Sequence, residues 1–199
     1  MSQYTPLALF TLKPSTGYAR PYYHTPSPAK VSASAMEVMT DLHYVQAGTI
    51  QANVDLESAS HKMIARGVRA LLVINDEENV IGIITARDLM GERPAEAIRS
   101  LGIGYGDLRV RDIMTGEDDI EVLSLNDVLH AHVGDIVETL KHSGRQHALV
   151  IEDDPITEKP MIRGIFSASQ IARQLGIPLQ TSELSQTFAE IDHAIRTQS

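Results

Sequence analysis

The sequence contains no cysteine among its 199 residues. This absence excludes disulfides, thiolate metal sites and cysteine nucleophiles together, and it fits a reducing compartment. The sequence also lacks an apolar run of the roughly 18 residues that a bilayer-spanning helix needs. The short apolar stretch at residues 7–10 has no basic residue before it, unlike a signal peptide. We therefore expect a cytoplasmic protein with no membrane partner.

Positive charge is scarce as well. Lysine and arginine number 17 against 26 aspartate and glutamate residues, which gives a formal net charge of −9. A nucleic-acid backbone or an anionic membrane requires a basic surface, so we expect neither as a partner. A small anionic ligand remains compatible with this charge, because a local pocket can oppose the net value. The hydrophobic fraction of 43% predicts a folded core.

The first 34 residues lack a sustained helical or strand period. They contain five prolines and five aromatic residues, namely Pro6, Pro14, Pro21, Pro26, Pro28, Tyr4, Phe10, Tyr18, Tyr22 and Tyr23. We interpret residues 1–34 as an extended arm, and its aromatic content favours contact with a partner surface. A floppy tail is the alternative interpretation.

The rest of the chain repeats itself. Three short blocks occur twice in the same order, and the second copy carries a longer insert between its last two blocks. The paired blocks are residues 38–40 and 113–115, 67–74 and 144–151, and 82–85 and 164–167. Such self-similarity predicts two copies of one structural unit.

Each copy predicts a helix, two strands and a second helix. Apolar residues at helical spacing precede a glycine that can end the helix, a short polar turn separates two apolar runs, and Thr85 or Ser167 begins the last helix. The helical stripes are Leu56, Ala59, Met63 and Ile64 before Gly67, and Val133, Ile136, Val137 and Leu140 before Gly144. The first hairpin spans residues 70–84, and continuous apolarity in its strands indicates that both faces are covered.

This order of elements, with "VMT", "GVRALLVI" and "VIGIITARDL" in the first copy, resembles the CBS domain, named after cystathionine beta-synthase. The second copy, "DIMT", "GRQHALVI" and "IRGIFSASQI", is similar but matches less well. The resemblance covers about residues 35–176 and implies an α/β fold of the α+β CBS type. Each unit would be a small three-stranded sheet packed on two helices, and the two units would pair around a ligand cleft as a Bateman module. Leu72 and Leu149 depart from the family, which often has proline there.

The resemblance divides the chain into five segments. Residues 1–34 form the arm, 35–92 the first CBS repeat, 93–109 a linker, 110–176 the second repeat and 177–199 a C-terminal helix. In that last segment, the apolar stripe Leu184, Phe188, Ile191 and Ile195 predicts one helix over residues 181–195. Such a helix packs on its own module or covers a neighbouring subunit.

Members of this family bind adenosine-containing ligands in the cleft, so the resemblance implies that Asp88 holds the ribose hydroxyls and that Thr85 contacts phosphate. A carboxylate can accept both hydroxyls of a diol with charge-assisted strength. Arg87 and Arg69 are the nearest cations in sequence, and the adenine slot would come from two short stretches. The predicted ligand contacts are Thr85, Asp88, Arg87, Arg69, Val68, Ala70, Leu71, Thr49 and Ile50.

The same residues also fit a purely structural role, because Thr85 and Asp88 have the spacing of a helix capping box. In the second copy Ser167 and Gln170 keep that spacing, so we expect a capping box there too. Gln170 lacks the anionic diol acceptor, which predicts one competent ribose site and one altered site. The residues assigned to the altered second site are Ser167, Gln170, Gln146 and His147.

No catalytic arrangement is recognisable. His130 and His132 would share a face of a strand, but no third ligand of the right kind is near, so we expect no metal and no catalytic cofactor. We predict a non-catalytic regulatory module, a homodimer, that binds AMP, ADP or ATP and signals to an unknown effector protein. The alternative is a structural dimerisation or interaction module with a vestigial cleft.

Overall fold

The computed structural model describes residues 28–177 together with Ala189 and Ile191. Most of the predicted arm and most of the predicted C-terminal helix therefore lie outside the described residues. Ala189 and Ile191 are helical, and Ile191 is fully buried against the core of the C-terminal half. The described part of the C-terminal stripe thus packs on its own chain.

The chain forms seven helices and eight strands within residues 28–177, divided here into an N-terminal half (28–109) and a C-terminal half (110–177). The N-terminal half contains β1 Thr40–Asp41, β2 Thr49–Gln51, α1 Leu56–Arg66, β3 Ala70–Ile74, β4 Val80–Thr85, α2 Ala86–Met90 and α3 Arg93–Leu101. The C-terminal half contains α4 Val110–Ile113, β5 Thr115–Gly116, β6 Val122–Ser124, α5 Leu125–His130, α6 Val133–Ser143, β7 His147–Asp153, β8 Pro160–Ser167 and α7 Ala168–Gln174. Three 3₁₀ turns accompany them, at Ala35–Glu37, Tyr105–Asp107 and Glu117–Asp119.

The predicted helix–strand–strand–helix units are confirmed in both halves. Helix α1 begins at the N-cap Asp55, whose side chain accepts a hydrogen bond from the Ser58 amide. It ends at Gly67, whose φ of 64° is a left-handed value that favours glycine. Gly144 ends α6 in the same way, with a φ of 64°. One member of the predicted stripe is misplaced, because Ile64 is 75% exposed whereas Leu56, Ala59 and Met63 are buried.

Two mixed sheets of four strands organise the chain. The N-terminal sheet has the order β2-β3-β4-β5, and the C-terminal sheet has the order β1-β8-β7-β6. The central pairs β3–β4 and β7–β8 are antiparallel hairpins, and β2 and β6 add parallel strands at one edge of each. The resemblance implied three strands per sheet, and the fourth is a two-residue strand that comes from the other half of the chain.

This exchange of short strands explains the repeated Met-Thr block. Thr40 of β1 pairs with Ile165 in the C-terminal sheet, and Thr115 of β5 pairs with Ile83 in the N-terminal sheet. The methionine before each threonine packs over a glycine of the opposite half. A Cβ at Gly82 would lie 2.8 Å from the Met114 sulfur and 2.7 Å from a backbone oxygen. Glycine is required there because the chain from the other half comes too close for any side chain.

The two halves are also interlocked through their cores. Ala35, Val38 and Met39 are buried in the core of the C-terminal half, although they precede the N-terminal sheet in sequence. Conversely, Val110 and Ile113 at the start of the C-terminal half are buried in the core of the N-terminal half. A third, smaller cluster lies between the facing sheets, built on Leu72, Ile83 and Leu149. Among the described residues, no helix has the length and apolarity needed to cross a membrane.

Candidate ligand-binding cleft

A cleft of about 690 Å³ opens between the two halves, where β4 ends and β7 begins. This volume is within the range of about 300–1,000 Å³ that is typical of small-molecule sites. The N-terminal half supplies most of its wall, and the start of β7 supplies the facing wall. The lining residues are Ile83, Thr85, Arg87, Asp88, Gly91, Glu92, Arg93, Glu96, Thr115, Gly144, Arg145, Gln146 and His147.

Thr85 and Asp88 form a complete capping box at the start of α2. The Asp88 Oδ2 atom accepts two hydrogen bonds, from the Thr85 amide at 2.8 Å and from the Thr85 hydroxyl at 2.7 Å. The Asp88 amide in turn donates to the Thr85 hydroxyl oxygen at 3.3 Å. Because a carboxylate oxygen has two lone pairs, Oδ2 is saturated. Any further hydroxyl must bind Oδ1, so this geometry does not support the expected use of both oxygens for a diol.

Arg93 joins Asp88 to the opposite half of the chain. Its Nε lies 3.4 Å from Asp88 Oδ1, and its Nη1 donates to the Ile113 carbonyl at 2.8 Å and to the Thr115 hydroxyl at 3.1 Å. The Arg93 side chain is 44% exposed, so it remains accessible to a ligand. The contact therefore ties α2 to the exchanged strand β5 and brings positive charge beside Oδ1.

Two more arginines line the cleft. Within residues 28–177, no hydrogen bond or ion pair engages the Arg87 guanidinium. Arg145 donates from Nη2 to the Asp119 carbonyl at 2.9 Å, and its Nε lies 3.7 Å from the exposed carboxylate of Glu121. Together with Arg93, these side chains place positive charge on both walls of the cleft.

His147 begins β7 on the wall opposite the capping box. Its Nδ1 is buried and has no hydrogen-bond partner in the described part of the chain. Burial, together with the positive charge of Arg69, lowers the pKa of His147 to about 4, and the negative charge of Asp88 opposes part of this shift. The imidazole is therefore neutral at pH 7. Buried polar atoms are rarely left unpaired, so Nδ1 is a candidate partner for a polar group that binds beside His147.

The structure gathers only some of the predicted first-site residues in this cleft. Thr85, Arg87 and Asp88 line it, whereas Arg69, Val68, Ala70, Leu71, Thr49 and Ile50 are not among its lining residues. Ile50 and Leu71 have buried side chains that belong to the core of the N-terminal half. Thr49 lines a different, more apolar groove of about 690 Å³ at the far end of the sheets, beside Leu72, Leu149 and Ile162.

Two residues that we assigned to the second site lie in the first. Gln146 and His147 line the cleft opposite Asp88, because the start of β7 faces the end of β4 across the pair. This cleft therefore combines the capping motif of the N-terminal half with the strand start of the C-terminal half. Sequence order could not show this crossing, since it follows from the way the two sheets face each other.

The expected capping box of the second copy is wrong. Ser167 makes no side-chain hydrogen bond to the start of α7, and its hydroxyl instead contacts the Ser169 hydroxyl at 3.1 Å. The Gln170 Oε1 atom accepts a hydrogen bond from the Thr40 hydroxyl at 3.1 Å. Glutamine is one methylene longer than aspartate, so its oxygen reaches the exchanged strand β1 rather than the backbone of its own helix.

The sequence reasoning missed Arg93, Arg145 and Thr115, together with Glu92 and Glu96. One signal was available, because Thr115 belongs to the repeated Met-Thr block. That block had no assigned role, since only the fold shows that it joins the sheet of the other half.

The His-x-His pair lies outside the cleft. His130 ends α5 and His132 precedes α6, so the two side chains do not share the face of a strand as we predicted. The His132 ring lies 3.4 Å from Asp135, and the His130 Nδ1 lies 2.8 Å from the Asn126 carbonyl. Within residues 28–177, no group of three or more histidine, aspartate or glutamate side chains is arranged to hold a metal ion.

Comparison with known proteins gives one family. Residues 35–94 match the family model of the CBS domain. The chain is also 27% identical over 111 residues to an inosine-5'-monophosphate dehydrogenase of Thermoplasma acidophilum, a match that spans 56% of this chain and 21% of that enzyme. The chain thus aligns with about a fifth of the length of this curated relative.

Solved structures of similar fold are CBS-domain proteins and related chains. An uncharacterized conserved protein of Pyrococcus horikoshii is 24% identical with a TM-score of 0.53, and the match covers 77% of this chain and 99% of that one. CBSX2, solved in complex with AMP, is 17% identical with a TM-score of 0.50, and the match covers 71% of this chain and 94% of that one. These likenesses support the paired two-sheet fold.

Proposed function

We propose, from the premise that the chain is a CBS-domain protein, that it is a non-catalytic regulatory module. In this proposal an adenosine-containing ligand, AMP, ADP or ATP, binds in the cleft between the two halves. Binding changes the relative position of the halves or the state of a homodimer, and an effector protein responds to that change. The ligand acts as a regulatory signal and not as a substrate.

The observation that carries this proposal is that both halves of the chain supply residues to the cleft. Asp88 offers Oδ1, the carboxylate oxygen that Thr85 does not use and that lies 3.4 Å from Arg93 Nε, to a ribose hydroxyl. Arg93 and Arg145 offer positive charge to a phosphate. His147 faces them with a buried nitrogen that has no partner in the described chain. A ligand that used all of these groups would tie the two halves together, since His147 and Arg145 belong to one half and Asp88 to the other.

The bound AMP of CBSX2 supports adenosine as the shared ligand chemistry. We propose one competent site per chain, because Gln170 replaces the aspartate in the second copy and its oxygen is already used by Thr40. Gln170 presents no anionic acceptor, so a second ribose would be held without charge assistance.

Catalysis is not part of the proposal, for a chemical reason. The Thr85 hydroxyl is occupied in the capping box that begins α2, where it donates to Asp88 and accepts from the Asp88 amide. His147, with its pKa at about 4, is a weak base at pH 7. The dehydrogenase relative does not alter this view, since the match spans only 21% of the enzyme.

A second candidate function is a structural dimerisation module. It is favoured by the self-satisfied state of the motif residues, because Asp88 is engaged by Thr85 and Arg93 without any ligand. It also predicts a self-association surface. Ile64 on α1 and Met90 on α2 are 75% and 71% exposed, on two helices that contact each other.

A thermal-shift and calorimetry screen separates these functions. The protein is titrated with AMP, ADP, ATP, S-adenosylmethionine and NAD, and product formation is followed in parallel. The regulatory proposal expects stabilisation by an adenosine ligand without turnover. Stabilisation by none of them supports the structural candidate, and turnover contradicts both.

The proposed homodimer is tested by light scattering at micromolar concentration. We expect twice the chain mass of 21.8 kDa, and a double change of Ile64→Lys and Met90→Lys should give the single-chain mass. The matched control is Leu129→Lys, since Leu129 is an exposed apolar residue, 54% exposed, on α5 instead of α1 or α2. A parent protein that scatters as a monomer contradicts the homodimer.

A further inference from the structure

The cleft adjoins a second cavity of about 570 Å³. The two cavities share Arg93, Glu96, Thr115 and Arg145 in their walls. A ligand that starts at Asp88 and passes Arg93 and Arg145 therefore enters the second cavity next. An inference about this route rests on the proposed function, since it assumes that an adenosine ligand binds in the cleft.

The charge of the lining changes along this route. The first cavity has three arginines against three carboxylates, namely Arg87, Arg93 and Arg145 against Asp88, Glu92 and Glu96. The second cavity has only the two shared arginines against Glu96, Asp112 and Asp119. The balance is therefore even where the ribose would bind and negative farther on.

The arginines of the second cavity are already engaged on its rim. Arg93 is held by Asp88, the Ile113 carbonyl and Thr115, and Arg145 donates to the Asp119 backbone beside the Asp119 carboxylate. A group that passes both arginines therefore meets negative charge.

We infer that the cleft selects adenosine ligands with at most one phosphate and discriminates against ADP and ATP. The first phosphate of a nucleotide whose ribose binds Asp88 Oδ1 lies within reach of Arg93, which contacts that same oxygen. A second and a third phosphate extend toward Glu96 and Asp119. Like charges repel there, and the solvent-exposed walls screen the repulsion only in part.

The size of the discrimination follows from Coulomb's law. The repulsion between two like unit charges about 6 Å apart in water lowers binding affinity roughly threefold. The lining of the second cavity has one net negative charge. Each added phosphate charge there therefore lowers affinity about threefold, and the two additional phosphates of ATP lower it about tenfold. ATP should bind at least tenfold more weakly than AMP in low-salt buffer without divalent cations, and added salt should narrow the gap.

The test removes two of the repelling charges and keeps Asp88, the proposed ribose contact. A double change of Glu96→Gln and Asp119→Asn is compared with the parent by calorimetry against adenosine, AMP and ATP. The control is Glu57→Gln with Asp127→Asn, which removes two exposed carboxylates from α1 and α5, outside the lining of both cavities.

We expect the ratio of ATP affinity to AMP affinity to rise about tenfold in the double variant, and the control to keep the parent ratio. Equal affinity of the parent for AMP and ATP overturns the inference and leaves the proposed function standing. A control that gains ATP affinity as much as the double variant overturns it as well, because net charge would then be the cause. Binding of none of the three compounds overturns both the inference and the proposed function.

Discussion

Replacing Asp88 with asparagine separates the helix-capping role of this residue from its proposed ligand role. In the capping box, Oδ2 accepts two hydrogen bonds from Thr85, and an asparagine carbonyl oxygen can accept the same two. The variant loses the negative charge near the start of α2 and the attraction to Arg93 at 3.4 Å. The uncharged amide nitrogen that replaces Oδ1 cannot accept a hydrogen bond from a ribose hydroxyl.

The two roles predict effects of different size. Loss of charge at a helix start costs about 0.3–1 kcal/mol, and an ion pair as exposed as this one contributes about 0.2–1 kcal/mol. The free energy of unfolding should thus fall by about 0.5–2 kcal/mol, or roughly 1–8 °C in melting temperature for a chain of this size. A hydrogen bond to a charged group contributes about 1.5–3 kcal/mol. Affinity for AMP and adenosine should therefore fall roughly tenfold to a hundredfold.

The chain offers a matched control in Asp135→Asn. Asp135 occupies the same position in α6, where its Oδ2 accepts a hydrogen bond from the His132 amide at 2.8 Å, and it does not line the cleft. The assay pairs calorimetry with urea denaturation for both variants. Asp135→Asn should lose a similar amount of stability and keep the parent affinity. If Asp88→Asn binds AMP as tightly as the parent does, Asp88 only caps α2 and the ribose assignment is wrong.

Four further outcomes are expected. Thr85→Ala removes the N-cap hydroxyl, so the free energy of unfolding measured in urea should fall by about 1 kcal/mol. The same change should weaken AMP binding more than adenosine binding, and equal weakening would argue against a phosphate contact. Gly82→Ala should destabilise the protein by about 1–3 kcal/mol and should do so more than Gly164→Ala. The reason is that the new methyl meets backbone at Gly82 and only a flexible methionine side chain at Gly164. The reverse order of the urea midpoints would contradict this packing. The folded pKa of His147 is lowered to about 4, so the unfolded chain binds a proton that the folded chain does not as pH falls from about 6.5 to 4, and stability falls with it. His147→Gln should accordingly remove about 1–2 kcal/mol of the stability difference between pH 7 and pH 5, and an unchanged difference would show that His147 does not titrate in this way. Calorimetry should give one adenosine ligand per chain, and two equal sites would contradict our interpretation of Gln170.

Local patterns in the sequence were sufficient for the elements of each repeat. The stripe that ends at Gly67 and the apolar runs around the polar turn predicted α1, β3 and β4, because helix and strand periods are local properties. The Thr85–Asp88 spacing predicted a capping box for the same reason. Ile64 was misplaced because a spacing pattern defines a face only to within one residue.

The same local reasoning failed for the second capping motif. Ser167 and Gln170 have the spacing of a box, yet Gln170 binds Thr40, which is 130 positions away. A long polar side chain can choose between its own backbone and a distant partner. Only the fold shows that such a partner is present.

The sequence by itself thus determined that the chain contains two similar units, where their helices and hairpins lie, and which residues carry charge at the start of α2. The tertiary structure decided how the units combine. It placed the methionine of each half over the glycine of the other, added a strand from each half to the opposite sheet, and set Arg145, Gln146 and His147 across from Asp88. The physical reason is that the sequence pattern of a repeat reflects contacts within that repeat. The cleft consists of contacts between repeats, and those depend on how two sheets pack face to face.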